Sequence, residues 1–106
     1  MIIKTYGLYD SVAKEYVRTF ISKDDAVAER SWKNIVRDPS FDSIAGKDYV
    51  VVHLYDMDSA TGIVSNNDCK TICAMATFMA EYEAEKLQQK LIDAEKGEQD
   101  GEQTAW

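Results

Sequence analysis

Residues 22–41, SKDDAVAERSWKNIVRDPSF, constrain the fold more than any other stretch, because a helix start, an apolar face and a stop are all written into them. Ser22 and Asp25 have the S-x-x-D spacing of a capping box, and Asp24 and Asp25 place negative charge where a first helical turn leaves unpaired N–H groups. Ala28, Trp32, Ile35 and Val36 recur at i, i+4, i+7 and i+8 and share one stripe, and Pro39 ends the helix. Arg30, Lys33 and Arg37 fall on another side, so a buried aromatic seam is set against a basic face.

Strand signals flank this helix. Residues 2–9 (IIKTYGLY) and 15–21 (EYVRTFI) are rich in β-branched and aromatic types and are separated by five residues, which predicts a hairpin. In the second of these strands Val17, Thr19 and Ile21 share one face and Tyr16, Arg18 and Phe20 the other, so neither face is purely polar. Residues 48–55 (DYVVVHLY) are apolar on both faces and predict a central strand. The following DMDSATG, residues 56–62, has turn chemistry, with Ile63 and Val64 starting a short return strand. Asp56, Asp58 and Thr61 are oxygen donors, but no loop of about twelve residues ending in a bidentate glutamate follows, and a plain turn is the better reading.

Asn66, Asn67 and Asp68 then predict the cap of a second, longer helix reaching about Glu95. Its apolar residues form two overlapping sets, Ile72, Met75, Met79 and Tyr82 early and Ala80, Ala84, Leu87 and Leu91 later. From residue 96 low hydrophobicity, glycine and negative charge predict a disordered acidic tail ending in Trp106. The expectation is therefore an α+β fold: one domain over residues 1–95 in ββαββα order, its antiparallel sheet packed by a central helix and a longer C-terminal helix, with a tail over 96–106.

Charge narrows the function classes. The chain carries a net −7, with 8 basic and 10 acidic groups over residues 1–66 and 4 basic and 9 acidic over 67–106. That balance gives no general attraction to phosphate backbones, although a local patch remains open. No run approaches the roughly 18 apolar residues of a membrane span, and Met1 leads straight into an alternating pattern without the features of a signal peptide, so no membrane and a cytoplasmic location are expected.

Catalytic and cofactor signatures are missing. There is no glycine-rich phosphate loop, no G-x-S-x-G elbow and no H-E-x-x-H. Cys69 and Cys73 lie four apart in the predicted helix, with His53 the only histidine, which is too few ligands for a tetrahedral zinc site. His53, inside an apolar strand, reads as a structural histidine, and the pairs Asp24–Asp25 and Asp56–Asp58 read as a helix start and a turn. The expectation is a protein that is not an enzyme and needs no cofactor or metal.

Three segments together resemble the small nonstructural protein of gokushovirus-type microviruses, tailless phages with circular single-stranded DNA: YGLYDSVAKEYVRTF, KDDAVAERSWKNIVRDPSF and DYVVVHLYDMDSATG. The likeness covers about residues 6–64 and runs through Phe20, Asp25, Ala26, Ala28, Arg30 and Val36, then Asp48, Tyr49, Leu54, Asp58, Thr61 and Gly62. This chain departs from it at Tyr55, where relatives commonly have glycine, and at Gly46 and Lys47, where a proline is common. The resemblance implies a factor present during infection in the cytoplasm of the bacterial host and outside the virion. It implies help with genome replication or packaging, and no catalytic residues.

Three modes of action follow as expectations. The first is binding of phage or host replication and packaging proteins. The second is single-stranded-DNA binding, for which the candidates are Lys4, Tyr6, Tyr16, Arg18, Arg30, Lys33 and Arg37, with Tyr49 and Tyr55 as further stacking aromatics; it requires these tyrosines to be exposed. The third is a homodimer or scaffolding contact, for which the candidates are Met75, Phe78, Met79, Tyr82 and Trp106.

Overall fold

The computed structural model describes the backbone of residues 1–104 and the side chains through Lys96. Strands β1 (Ile2–Asp10) and β2 (Glu15–Ser22) form the first hairpin, followed by α1 (Asp25–Val36), a single turn α2 (Ser43–Gly46), the long strand β3 (Tyr49–Asp58), the short β4 (Val64–Ser65), β5 (Lys70–Ala74) and α3 (Met75–Thr104). The five strands make one antiparallel sheet in the order β2-β1-β3-β4, with β5 also on β3. This is an α+β domain, close to the expected ββαββα order with one strand added.

The first hairpin closes on Asp10, whose Oδ1 accepts from the backbone N–H groups of Val12 and Ala13, both at 3.0 Å. Lys14 completes the turn in the left-handed region at φ 60°. The second hairpin is tighter than expected, because Asp56, Met57 and Asp58 continue β3 instead of leaving it. Gly62, at φ 73°, donates its N–H to the Asp58 carbonyl at 2.7 Å, a turn geometry that suits a residue without a Cβ.

β3 is central, as its apolar character on both faces predicts. β1 runs along one of its edges, while the other edge is shared between β5, opposite Val50–His53, and β4, opposite Asp56 and Met57. β5 overturns the expected helix start at residues 66–68. Lys70–Ala74 is strand, and α3 begins only at Met75. Cys69 and Cys73 are therefore not on one helical face; Cys69 precedes β5 in a left-handed conformation and Cys73 lies on it. Thr71 and Ile72 are β-branched, and the open edge of β3 supplies hydrogen-bond partners that no local propensity reveals.

One face of the sheet carries the core. Tyr6 and Leu8 from β1 and Val51 from β3 meet Ala28, Trp32 and Val36 of α1 and Met75 and Phe78 of α3. The expected α1 stripe holds at Ala28, Trp32 and Val36, whereas Ile35 is exposed. The N-cap is Asp24, not Ser22, because Ser22 is still the last residue of β2; Asp24 Oδ1 accepts from the Val27 N–H at 2.8 Å. The helix ends at Val36, with Arg37 as its C-cap, two residues before Pro39. The tail expected over residues 96–106 falls almost wholly beyond the residues whose side chains are described, and Trp106 lies outside the described residues altogether.

Candidate functional site

Two arrangements bring polar or aromatic side chains together. The first lies within the sheet and is closed. A bulge between Thr5 and Tyr6 shifts the β1–β3 register so that Tyr6 faces His53 and Lys4 faces Asp56. Asp56 is buried; its Oδ1 is 2.6 Å from His53 Nε2, its Oδ2 accepts from Asn66 Nδ2 at 2.9 Å, and Lys4 Nζ is 3.6 Å away. The Asn66 amide foremost, then His53 and Lys4, hold the Asp56 carboxyl below the usual carboxylate range against the opposing effect of burial. Next to it the Tyr6 ring stacks on Phe20 at 5.5 Å, and its hydroxyl donates to Asp25 Oδ1 at 2.7 Å, tying β1 to the first turn of α1. Among the described residues no buried side-chain nitrogen or oxygen lacks a partner, so this network is complete without a ligand. His53 is thus a buried histidine with a satisfied ring nitrogen.

The second arrangement is open. β2 ends the sheet, and among the described residues no strand pairs with its outer edge. Tyr16, Val17, Arg18, Thr19 and Ile21 are all exposed along it. Beneath that edge, between β2, the C-terminal half of α1 and the α1–α2 connection, runs a groove of about 540 Å³. Leu8, Trp32, Ile35, Phe41 and Tyr49 supply most of its apolar wall. The Arg18 guanidinium sits over the Trp32 ring at 5.9 Å and separates this groove from a smaller one of about 220 Å³ that continues toward Ser22. At the far end stand Asp38 and Asp42. Asp38 is held by the hydroxyl and N–H of Ser40, which lower its pKa, and Asp42 caps α2 through the N–H groups of Ile44 and Ala45.

The residues singled out for DNA binding do not form one surface. Tyr6 has no exposed surface at all. Lys4 is paired with Asp56, Lys33 with Glu81 of α3 at 3.6 Å, and Arg37 with Glu85 of α3 at 2.6 Å, so Lys33 of α1 and Arg37 at its C-cap tie this helix to α3. Arg30 is exposed on α1. Tyr16 lies on the sheet face away from the helices, tilted against Tyr9 at 4.9 Å and close over Gly7, while Tyr49 and Tyr55 are half-buried. Arg18 alone of the seven joins the groove.

The partner-contact candidates sort differently. Met75 and Phe78 are in the core and have no surface to offer; Met79 packs against them, and Tyr82 lies under the cations of Arg37 and Lys86 at 5.6 and 4.6 Å. Sequence reasoning missed the groove because its wall comes from β1, α1, the α1–α2 connection and β3. The signal it did contain was Trp32 in helical register with an aromatic, Phe41, just past the helix stop.

Among the described residues no helix is long and apolar enough to cross a membrane. No curated protein and no solved structure matches the chain. The segment that builds β1 to β5 and the first turn of α3, residues 3–78, matches the model of the family described as Phage ORF5 protein, and the chain belongs to that phage protein family.

Proposed function

We propose that this chain is a non-enzymatic, nonstructural accessory protein of a gokushovirus-type single-stranded-DNA phage. It works in the cytoplasm of the infected host, outside the virion, and assists genome replication or packaging by holding an extended segment of a protein partner along the β2 edge. The observation that carries this reading is the unpaired edge of β2 above an apolar groove. Free N–H and C=O groups accept a further strand, and alternate side chains of that strand drop into the groove. The internal pairing of Lys4, Lys33 and Arg37 and the burial of Tyr6 favour a protein over DNA as the occupant.

Site-specific photocrosslinking in infected cells tests this. A benzophenone amino acid at Val17, on the edge, is expected to capture a phage or host replication or capsid protein, and the same group at exposed Ile63, away from the groove, is expected to capture none. Equal capture at both positions, or none at Val17, removes the edge as the docking site.

Single-stranded DNA is the second reading, favoured by one feature: Arg18 stacked over Trp32 beside Tyr49 and Phe41. Fluorescence anisotropy with labelled oligodeoxythymidine separates the two. The protein-partner reading expects no salt-sensitive preference for the single strand, and a tight one abolished by Arg18→Ala moves DNA to the front.

A further inference from the structure

The outer half of α3 presents a surface that the described residues leave uncovered. Met75 and Phe78 turn into the core, Tyr82 lies beside Arg37 at the end of α1, and beyond Tyr82 every described residue of the helix is exposed. The molecule is drawn out to 76 Å in its longest dimension, with a radius of gyration of 20.0 Å where a compact chain of this length has about 13 Å. A helix standing alone in water is marginal, and most helical stability in proteins comes from packing an apolar face.

Such a face exists on α3, half a turn away from the core side. Thr77, Ala80, Ala84, Leu87, Leu91 and Ala94 follow one another at intervals of three and four, the a and d positions of a heptad repeat. Leu87 is 61% exposed and Leu91 60%. Small residues occupy the end nearest the domain, where two helices must approach closely, and the leucines lie further out. The two apolar sets of this helix therefore serve opposite sides, one facing the molecule's own core and one facing away from it.

We infer that the Thr77–Ala94 face of α3 is a short parallel coiled-coil seam for a second copy of this chain. Charge complementarity selects that occupant. In a parallel pair the position before one a residue lies beside the position after the following d residue of the partner helix, which sets Lys90 against Glu95 twice over by symmetry. Among the described residues neither Lys90 nor Glu95 has an ion-pair partner in its own chain, whereas Glu83, which an antiparallel pairing would set against Lys90, is already engaged by Lys86 at 2.7 Å. Because the seam points away from the sheet, both domains fit on the outside of the pair. The inference stands apart from the β2 edge, which lies on another part of the molecule.

Sedimentation equilibrium of the full chain over the micromolar range tests it. The weight-average mass is expected to rise from 12.0 kDa toward that of a dimer. L87E/L91E is expected to hold the chain at the monomer mass without changing its unfolding midpoint at low concentration, since both leucines are exposed in the monomer. K90E and E95K are each expected to weaken association roughly fivefold, and K90E/E95K together to restore it. A monomer at every concentration overturns the inference, as does a dimer indifferent to L87E/L91E. Restoration of K90E by E83K in place of E95K overturns the parallel register.

Discussion

Tyr6 Oη donates to Asp25 Oδ1 at 2.7 Å while its ring lies between Phe20 and His53, so a single side chain joins β2, β1 and β3 to the start of α1. Removing only the hydroxyl tests the hydrogen bond apart from the packing. Tyr6→Phe is expected to keep the fold and to lower stability by about 1.5–3 kcal/mol, the range for a bond to a charged acceptor, as read by urea unfolding at neutral pH. The two cysteines make a second comparison. Burial, and secondarily the Glu29 carboxylate, push the Cys73 thiol up to about 11, whereas Cys69 is exposed. Since the thiolate is the nucleophile, iodoacetamide under native conditions is expected to label Cys69 well before Cys73, with mass spectrometry of the peptides giving the order. Equal rates would mean that β5 opens readily.

The α1–α2 connection shows how an element shapes the groove. Gly46 is buried against the Phe41 ring, and a Cβ there would overlap that ring. Gly46→Ala is therefore expected to push Phe41 out of the groove wall, costing about 1–3 kcal/mol in urea unfolding and reducing crosslinking from Val17. The elements themselves were unevenly legible in the sequence. The first hairpin, α1 and the central strand follow directly from local periodicity and turn chemistry, because each signal lies within the element it specifies. β5 did not, because Ile72, Met75, Met79 and Tyr82 have helical spacing and Asn66 to Asp68 resemble a cap. What makes KTICA a strand is the vacant edge of β3, a partner about twenty residues earlier in the chain, opposite Val50–His53. Ser22 misled for a related reason: pairing with Lys4 keeps it in β2, and the cap passes to Asp24. The basic face of α1 was visible, but its use was not, since Glu81 and Glu85 meet Lys33 and Arg37 only once α3 has folded against α1.

At the scale of the whole molecule two buried networks set the pH range over which the sheet and helices hold together. Asp56 has its pKa lowered in the folded state, chiefly by Asn66, so the folded chain binds fewer protons there than the unfolded chain does at acid pH. The stability it contributes is present above the ordinary carboxylate value of 3.8 and is lost as pH falls through the lower, folded value. Tyr6 has the opposite shift, raised by burial first and by Asp25 second. Its contribution is complete below the ordinary tyrosine value of 10.0 and is lost as pH rises through the higher, folded value. Urea unfolding across pH is therefore expected to give a plateau bounded by an acid and an alkaline limb, each group adding a slope of up to about 1.4 kcal/mol per pH unit. Asp56→Asn is expected to lower the plateau and flatten the acid limb, and Tyr6→Phe to flatten the alkaline limb. These effects belong to separate ends of the curve, so the double variant should show both. An acid limb that keeps its slope in Asp56→Asn would place acid sensitivity in other carboxylates that the fold hydrogen-bonds, such as Asp38, whose pKa is lowered by the hydroxyl and N–H of Ser40.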